Sequence, residues 1–279
     1  MISKLLFDLD GTLTDPKEGI CKSAQYALRA FGIEEPDIDK LEPFIGPPLM
    51  DSFMEFYGMT KERAAEAVVK YRERFSVRGW SENIVYEGIP HMLNSLRGAG
   101  YVLAVASSKP TVFVERILTH FGLRDAFSVV VGSELDGRRI NKAEVIGEAL
   151  RRLFGMSDGA SQDSVSQARA EHGDGQDSVQ GESGTDQGIR YDELLMIGDR
   201  KFDVEGAHAL GIRCVGVTYG YAQPGELEEA GADYLADSPE GLLELLLELR
   251  EKNDAAWNVE DLSFADEKGG EAAETKGGM

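Results

Sequence analysis

Apolar and polar positions along the chain follow two rhythms. The run 4–9 is almost continuously apolar and ends on Asp8-Leu9-Asp10-Gly11, the pattern of a short buried strand entering a turn. Asp15, Pro16 and Glu18 then occupy the N-cap, N1 and N3 positions expected of a helix. Its apolar face is Ile20, Ala24, Ala27, Leu28 and Phe31, and Gly32 ends it. Two further helices are predicted over 49–57 and 60–75, the second with Ala64, Val68, Tyr71 and Phe75 at helical spacing. The proline-rich turn Phe44-Ile45-Gly46-Pro47-Pro48 precedes them. Residues 16–80 thus read as an all-helical block placed after the first strand.

From residue 88 the rhythm alternates. Helices are predicted over 89–96, 110–121, 142–154, 203–210, 225–230 and 239–250, and short apolar strands over 101–106, 127–131, 194–197, 213–217 and 234–236. Strands alternating with helices predict a parallel sheet covered on both faces, because right-handed crossovers place helices there. The predicted fold class is therefore α/β, a Rossmann-like core carrying an inserted helical domain. The predicted boundaries are a core of 1–15 and 81–250, a helical insertion of 16–80, an acidic insert of 156–188 and an acidic tail of 251–279.

Charge refines this picture. The chain has 279 residues with 50 acidic against 29 basic side chains, a formal net charge of −21. The insert 156–188 holds seven acids and one Arg, and the tail 251–279 eight acids and three Lys, so these 62 residues carry −11 of the total. The insert is rich in Gly, Ser and Gln and poor in large apolar side chains, so it cannot offset its ordering entropy and is expected to be disordered; the tail, with Trp257-Asn258-Val259 as its one candidate docking segment, is expected to be loose. So acidic a surface argues against nucleic acid and against anionic membranes as partners. No apolar run approaches the roughly 20 residues of a membrane span, and no signal-peptide pattern opens the chain. Cys21 and Cys214 stand far apart and read as reduced thiols, which favours a cytoplasmic protein. The sequence does not choose between monomer and dimer.

Open parallel sheets bind ligands beyond the carboxyl ends of their strands. There the sequence places Asp8, Asp10, Gly11 and Thr12 after the first strand, Ser107, Ser108 and Lys109 after the second, Lys142 at a helix start, and Asp199, Arg200 and Asp203 after the fourth. Carboxylates converging on one sheet edge repel one another unless a cation joins them. A set of oxygen donors without a His or Cys cluster suits Mg²⁺ rather than zinc, while the lysines and hydroxyls suit phosphoryl oxygens. His91, His120, His172 and His208 show no metal spacing. No dinucleotide or P-loop glycine motif is present.

These segments, taken in order, resemble the four motifs of the haloacid dehalogenase-like (HAD) superfamily: Asp8-Leu9-Asp10-Gly11-Thr12, Ser107-Ser108-Lys109-Pro110, Lys142, and Gly198-Asp199-Arg200-Lys201-Phe202-Asp203. The helical block resembles a C1 cap of the phosphoglycolate phosphatase-like branch. Phe44 to Leu49 and Ser108 to Phe113 are most similar to members known as 5′-nucleotidases. The resemblance implies a Mg²⁺-dependent phosphatase that passes through an aspartyl-phosphate, acting on a small phosphorylated metabolite.

By that resemblance Asp8 is the nucleophile and Asp10 the general acid and base, held by Thr12. Lys142 neutralises Asp8 and the phosphate. Ser107, Ser108, Lys109 and Gly11 surround the phosphate. Asp8, the Asp10 carbonyl and Asp199 ligate the metal, with Asp203 in or beside that set. Gly46, Pro47 and Arg72 of the cap face the substrate; Arg72, with Lys70 and Arg74, could meet a second anionic group, although such charges more commonly mean a solvated helix face. A nucleoside 5′-monophosphate leads the implied substrates, ahead of phosphoglycolate and of a sugar-phosphate mutase resembling β-phosphoglucomutase. A non-enzymatic phosphoacceptor and an acidic interaction protein are the rivals of another class, and the cap disfavours the first. Finally, a helix of 13 residues from Lys142 is about 20 Å long, so it carries the chain to the opposite sheet edge before the acidic insert begins. The insert and the tail are thus expected to leave far from the chemistry.

Overall fold

The computed structural model describes residues 2–156, 185–186 and 189–251. The expectations of a disordered insert and a loose tail fall on residues outside these. A six-stranded parallel sheet forms the centre. Its strands are β1 (Lys4–Phe7), β2 (Val102–Pro110), β3 (Val129–Ser133), β4 (Leu194–Gly198), β5 (Arg213–Val217) and β6 (Tyr234–Ala236), in the order β6-β5-β4-β1-β2-β3.

Alternating side chains explain why the sheet is covered twice. Leu5, Phe7, Leu103, Val105, Leu195, Ile197, Val215 and Val217 enter one apolar cluster, whereas Leu6, Ala104, Ala106, Leu194, Met196 and Cys214 enter the other. The first face is covered by α4 (Ile89–Gly98), α5 (Thr111–His120) and α9 (residues 239–251). The second is covered by α6 (Lys142–Leu153), α7 (Lys201–His208) and the short α8 (Glu226–Glu229). Each fully buried Leu or Phe contributes about 1.5–3 kcal/mol relative to exposure.

Strand order reverses beside β1, because the chain builds β2 and β3 on one side of it and β4 to β6 on the other. That reversal opens a crevice at the carboxyl ends of β1, β2 and β4. The helix over 142–154 is met by α6, whose trailing Phe154 ring lies 5.0 Å from Lys4 Nζ, at the start of β1. Lys4 also pairs with Glu193 Oε2 at 3.1 Å, just before β4. The chain therefore leaves for the acidic insert, and returns from it, at the edge opposite Asp8. At the same edge the Arg250 guanidinium of α9 donates to Ala99 O, just ahead of β2.

Helices α1 (Lys17–Ala30), α2 (Leu49–Tyr57) and α3 (Lys61–Arg74) bury their own cluster, including Ile20, Leu28, Phe44, Phe53 and Tyr71. A π-turn, Phe75–Gly79, extends α3. Phe113 of α5 joins this cluster from the core and meets the Phe75 ring edge-on at 5.1 Å. A two-stranded ribbon of Thr14–Asp15 with Ile84–Val85 ties together the two chain crossings between core and cap. Asp15 does not hold the predicted N-cap position of α1. Pro16 holds it, and the Asp15 carboxylate accepts the Lys17 amide from one residue earlier, because Asp15 is committed to the ribbon. Likewise α7 begins two residues before its predicted start, with Asp203 inside its first turn. Among the described residues, no helix is long and apolar enough to cross a membrane.

Candidate active site

β1 runs out at Phe7, but the Asp8 amide still donates to Ile197 O of β4 at 2.9 Å, fixing the Asp8 side chain at the crevice. A tight turn follows, in which the amides of Leu13 and Thr14 donate to Leu9 O at 2.9 and 3.0 Å. Gly11 takes φ +78°, and a Cβ there would overlap the Asp199 carboxylate. Gly220 lies against the other side of Asp199, so two glycines leave this carboxylate room beside Asp8. The Asp199 oxygens accept from Thr12 Oγ1 at 3.4 Å and from the Tyr221 amide at 2.8 Å.

One oxygen each from Asp8, Asp199 and Asp203 lies within 4.8 Å of the others, and all three residues are buried. Lys142 is the cation among them, with Nζ 3.0 Å from Asp8 Oδ1 and 2.6 Å from Asp203 Oδ1. A lysine in the first turn of a helix opposes the helix dipole, and here the facing carboxylates supply its reason. Asn141 caps α6 by accepting the Ala143 amide at 2.8 Å, and Gly206 of α7 leaves space for the Lys142 stem. Burial alone would lower the Lys142 pKa, but Asp203 and Asp8 hold it above the ordinary lysine value. Asp199 is pushed well above the usual carboxylate range by burial, then by Asp203 and Asp8. Burial raises Asp203 too, against the opposing pull of Lys142. Asp8 Oδ1 and Asp203 Oδ1 are both buried, and the one Lys142 ammonium faces both of them. Three buried carboxylates with one lysine leave negative charge unbalanced, and an oxygen-binding cation in this cage would relieve it.

Asp10 is not part of that carboxylate group. Its Oδ2 pairs with Lys109 Nζ, while its Oδ1 is buried and without a hydrogen bond. Burial raises its pKa, and Lys109 opposes the rise. Lys109 Nζ also lies 4.8 Å above the Phe75 ring of the cap. Ser107 is buried with its Oγ accepting the Lys109 amide at 3.3 Å, and Ser108 O accepts from Ser133 Oγ at 2.7 Å.

Above this floor a cavity of about 490 Å³ opens between core and cap. Asp8, Asp10, Ser107, Ser108 and Lys109 line its lower end. Gly46, Pro47 and Arg72 line it from the cap, together with apolar walls from Phe44, Met50, Val68 and Phe75. Arg72 Nη1 donates to Leu135 O of the core at 3.0 Å. The neighbouring cap charges turn elsewhere: Arg74 forms a double ion pair with Glu82 at 2.7 and 2.8 Å, and Lys70 pairs with Glu73 at 2.8 Å.

One predicted contact is replaced. Thr12 holds Asp199 rather than Asp10, because the turn over Leu9–Thr14 swings its hydroxyl toward the end of β4. Arg200, placed by the sequence at a strand end within the fourth motif but given no role there, donates its guanidinium to Ile45 O of the cap loop and, through Nε at 2.8 Å, to Glu226 Oε1. Tyr219, whose hydroxyl donates to Thr12 O at 2.9 Å, and Tyr221, whose amide holds Asp199, were not among the sequence candidates. Both lie outside the four motifs, and the backbone groups on one side of each contact carry no residue signal.

Comparison with known proteins gives the family. The profile of the haloacid dehalogenase-like hydrolases matches residues 5–163, and a second, HAD-hydrolase-like profile matches 160–242. A 5′-nucleotidase from Pseudomonas aeruginosa is 45% identical over 223 residues, covering 80% of this chain and 86% of that protein. The tyrosine-protein kinase PtkA of Mycobacterium tuberculosis is 36% identical over 219 residues, covering 78% of this chain and 63% of that longer protein. The crystal structure of a predicted phosphatase from Clostridium acetobutylicum superposes with a TM-score of 0.75 at 40% identity, covering 89% of this chain and 99% of that one.

Proposed function

This chain belongs to the haloacid dehalogenase-like hydrolases and is a phosphatase of that family; from that premise we propose that it is a Mg²⁺-dependent phosphomonoesterase acting through Asp8 on nucleoside 5′-monophosphates. The observation that carries the substrate class is the cavity, which joins a charged floor at Asp8, Asp10 and Lys109 to a roof walled by Phe44, Val68, Tyr71 and Phe75. A phosphate fits the first and an aromatic base with its sugar fits the second. A short acidic leaving group such as glycolate would need a free cation in the roof. The cations lining the cavity are Lys109 and Arg72, already engaged with Asp10 and with Leu135 O.

In this reading Asp8, Asp199 and Asp203 hold the metal, which neutralises phosphate charge when bound. The oxygen-only donor set, the three buried carboxylates that share one lysine and the glycine-lined space around Asp199 all suit such an ion. Lys142 holds the Asp8 carboxylate toward phosphorus and offsets its charge. The Ser107 hydroxyl and the Ser108 amide bind phosphoryl oxygens. Asp8 attacks phosphorus in line, a P–O bond forms, and the bond to the leaving alcohol breaks. Asp10 delivers the proton to that alcohol, aided by the burial that raises its pKa. The incoming dianion competes with Asp10 for Lys109, which loosens the ion pair as the proton is needed. Asp10 then takes a proton from the water that attacks the aspartyl-phosphate, releasing inorganic phosphate and free Asp8. The cap roof excludes bulk water from both steps.

The test is a phosphomonoester panel scored by kcat/KM with and without Mg²⁺. Nucleoside 5′-monophosphates should rank first, and chelation should abolish turnover. A tenfold preference for phosphoglycolate or a sugar phosphate would overturn the substrate assignment.

A further inference from the structure

Two tyrosines are buried among the described residues, Tyr71 at 5% and Tyr101 at 4% exposure. Tyr101 donates its hydroxyl to Leu246 O at 2.7 Å. Tyr71 has no hydrogen-bond partner among the described residues. A hydroxyl without a protein partner takes its hydrogen bond from whatever fills the space it faces. This one is not sealed among packed atoms: Tyr71 lines the cavity above Asp8 and Asp10.

The ring is held where it stands. Tyr71 stacks on Phe75, one helical turn further along, with centroids 5.4 Å apart and planes inclined by 13°. Phe75 is braced by Phe113 from the core and carries Lys109 Nζ over its face. The ring is thus anchored to the same Lys109 that pairs with Asp10. Burial, and after it the Asp10 carboxylate, hold the phenol pKa far above the ordinary tyrosine value, so the hydroxyl stays a neutral donor.

We propose that the Tyr71 hydroxyl is a specificity-determining contact: it donates a hydrogen bond to an oxygen of the leaving alcohol, one that a hydroxylated leaving group such as a ribose presents and a plain aryl ester lacks. The inference rests on the reading above only for the identity of that alcohol. The unpaired hydroxyl is then a site completed by substrate, and the cap discriminates by hydrogen bonding as well as by shape.

The experiment compares Tyr71→Phe with the unaltered protein on a nucleoside 5′-monophosphate, ribose 5-phosphate and phenyl phosphate, each with Mg²⁺. The variant keeps the ring and its stacking on Phe75. Its kcat/KM should fall about tenfold on the better of the two ribosyl substrates, mainly through KM, and stay within twofold on phenyl phosphate. Its Tm should be unchanged or higher, since no hydrogen bond of the free protein is lost. Equal losses on all three substrates, no loss on any, or a lowered Tm would overturn the proposal, as would an unaltered protein that hydrolyses only the aryl ester. Preference of the unaltered protein for ribose 5-phosphate over the nucleotide would overturn the nucleotide reading alone and leave the Tyr71 contact tested on the sugar phosphate.

Discussion

The floor and the roof of the cavity are built by opposite rules. The floor is charged, buried and crowded: Asp8, Lys142, Asp199 and Asp203 are each at most 8% exposed. Glycines at 11, 206 and 220 leave them space, and every one is fixed by the end of a strand or the start of a helix. The roof is apolar and aromatic, and its cation, Arg72, reaches across to the core instead of pointing inward. In the proposed reading a floor of this kind acts on any phosphomonoester, because it meets only the phosphoryl group. A roof of this kind would rank leaving groups, because those are what it faces. That reading houses chemistry and selectivity in separate parts of the chain.

The separation can be broken by experiment. Asp8→Asn should remove turnover of every substrate, by at least about a thousandfold, while leaving the circular dichroism spectrum intact. Residual turnover near the unaltered rate would dissociate the floor from the reaction. Val68→Phe narrows the roof and should lower kcat/KM on a nucleotide about tenfold while sparing a small phosphoryl donor such as the acyl phosphate acetyl phosphate. Equal loss on both would mean that roof and floor are coupled.

The third prediction concerns metal and protons. Asp10, Asp199 and Asp203 have folded-state pKa values above the ordinary 3.8, so the native state binds more protons than the unfolded chain between that value and the raised ones. Their contribution to stability is therefore present at low pH and is lost as pH rises through the folded pKa values. A Mg²⁺ ion held by these carboxylates would compete with those protons. Calorimetry should show that millimolar Mg²⁺ raises the Tm by about 5 °C or more at pH 8 and by much less at pH 5. An equal gain at both values would place the ion away from these carboxylates. The smallest effect is expected from deleting residues 157–184. Phe154 and Glu193 both flank Lys4 at the edge opposite Asp8, so kcat/KM should stay within twofold.

Strand and helix order was legible because apolar alternation and helical spacing rarely mislead where both sheet faces are buried. Lys142 was legible as an anomaly, a lysine where a helix start disfavours one, and Asp8 stands 3.0 Å from it. Tyr71 and Val68 were harder. Both sit on the apolar stripe of α3, and a stripe that walls a cavity has the same pattern as one that fills a core. The Thr12 contact depended on the handedness of a turn, which spacing does not encode. Tyr219 reaches the Thr12 carbonyl of the first motif across about 200 residues of chain, and Tyr221 meets Asp199 of the fourth through its backbone amide, a group common to nearly all residues.

The edge-on contact between Phe75 and Phe113 has a thermal consequence. It is an aromatic seam between cap and core, so any opening wide enough to admit substrate must wet it. Wetting apolar surface raises heat capacity, and its free-energy cost varies with temperature in a curved way. The substrate-admission equilibrium should therefore bend in a van't Hoff plot of KM, and replacing Phe113 with a polar residue of similar size should straighten it.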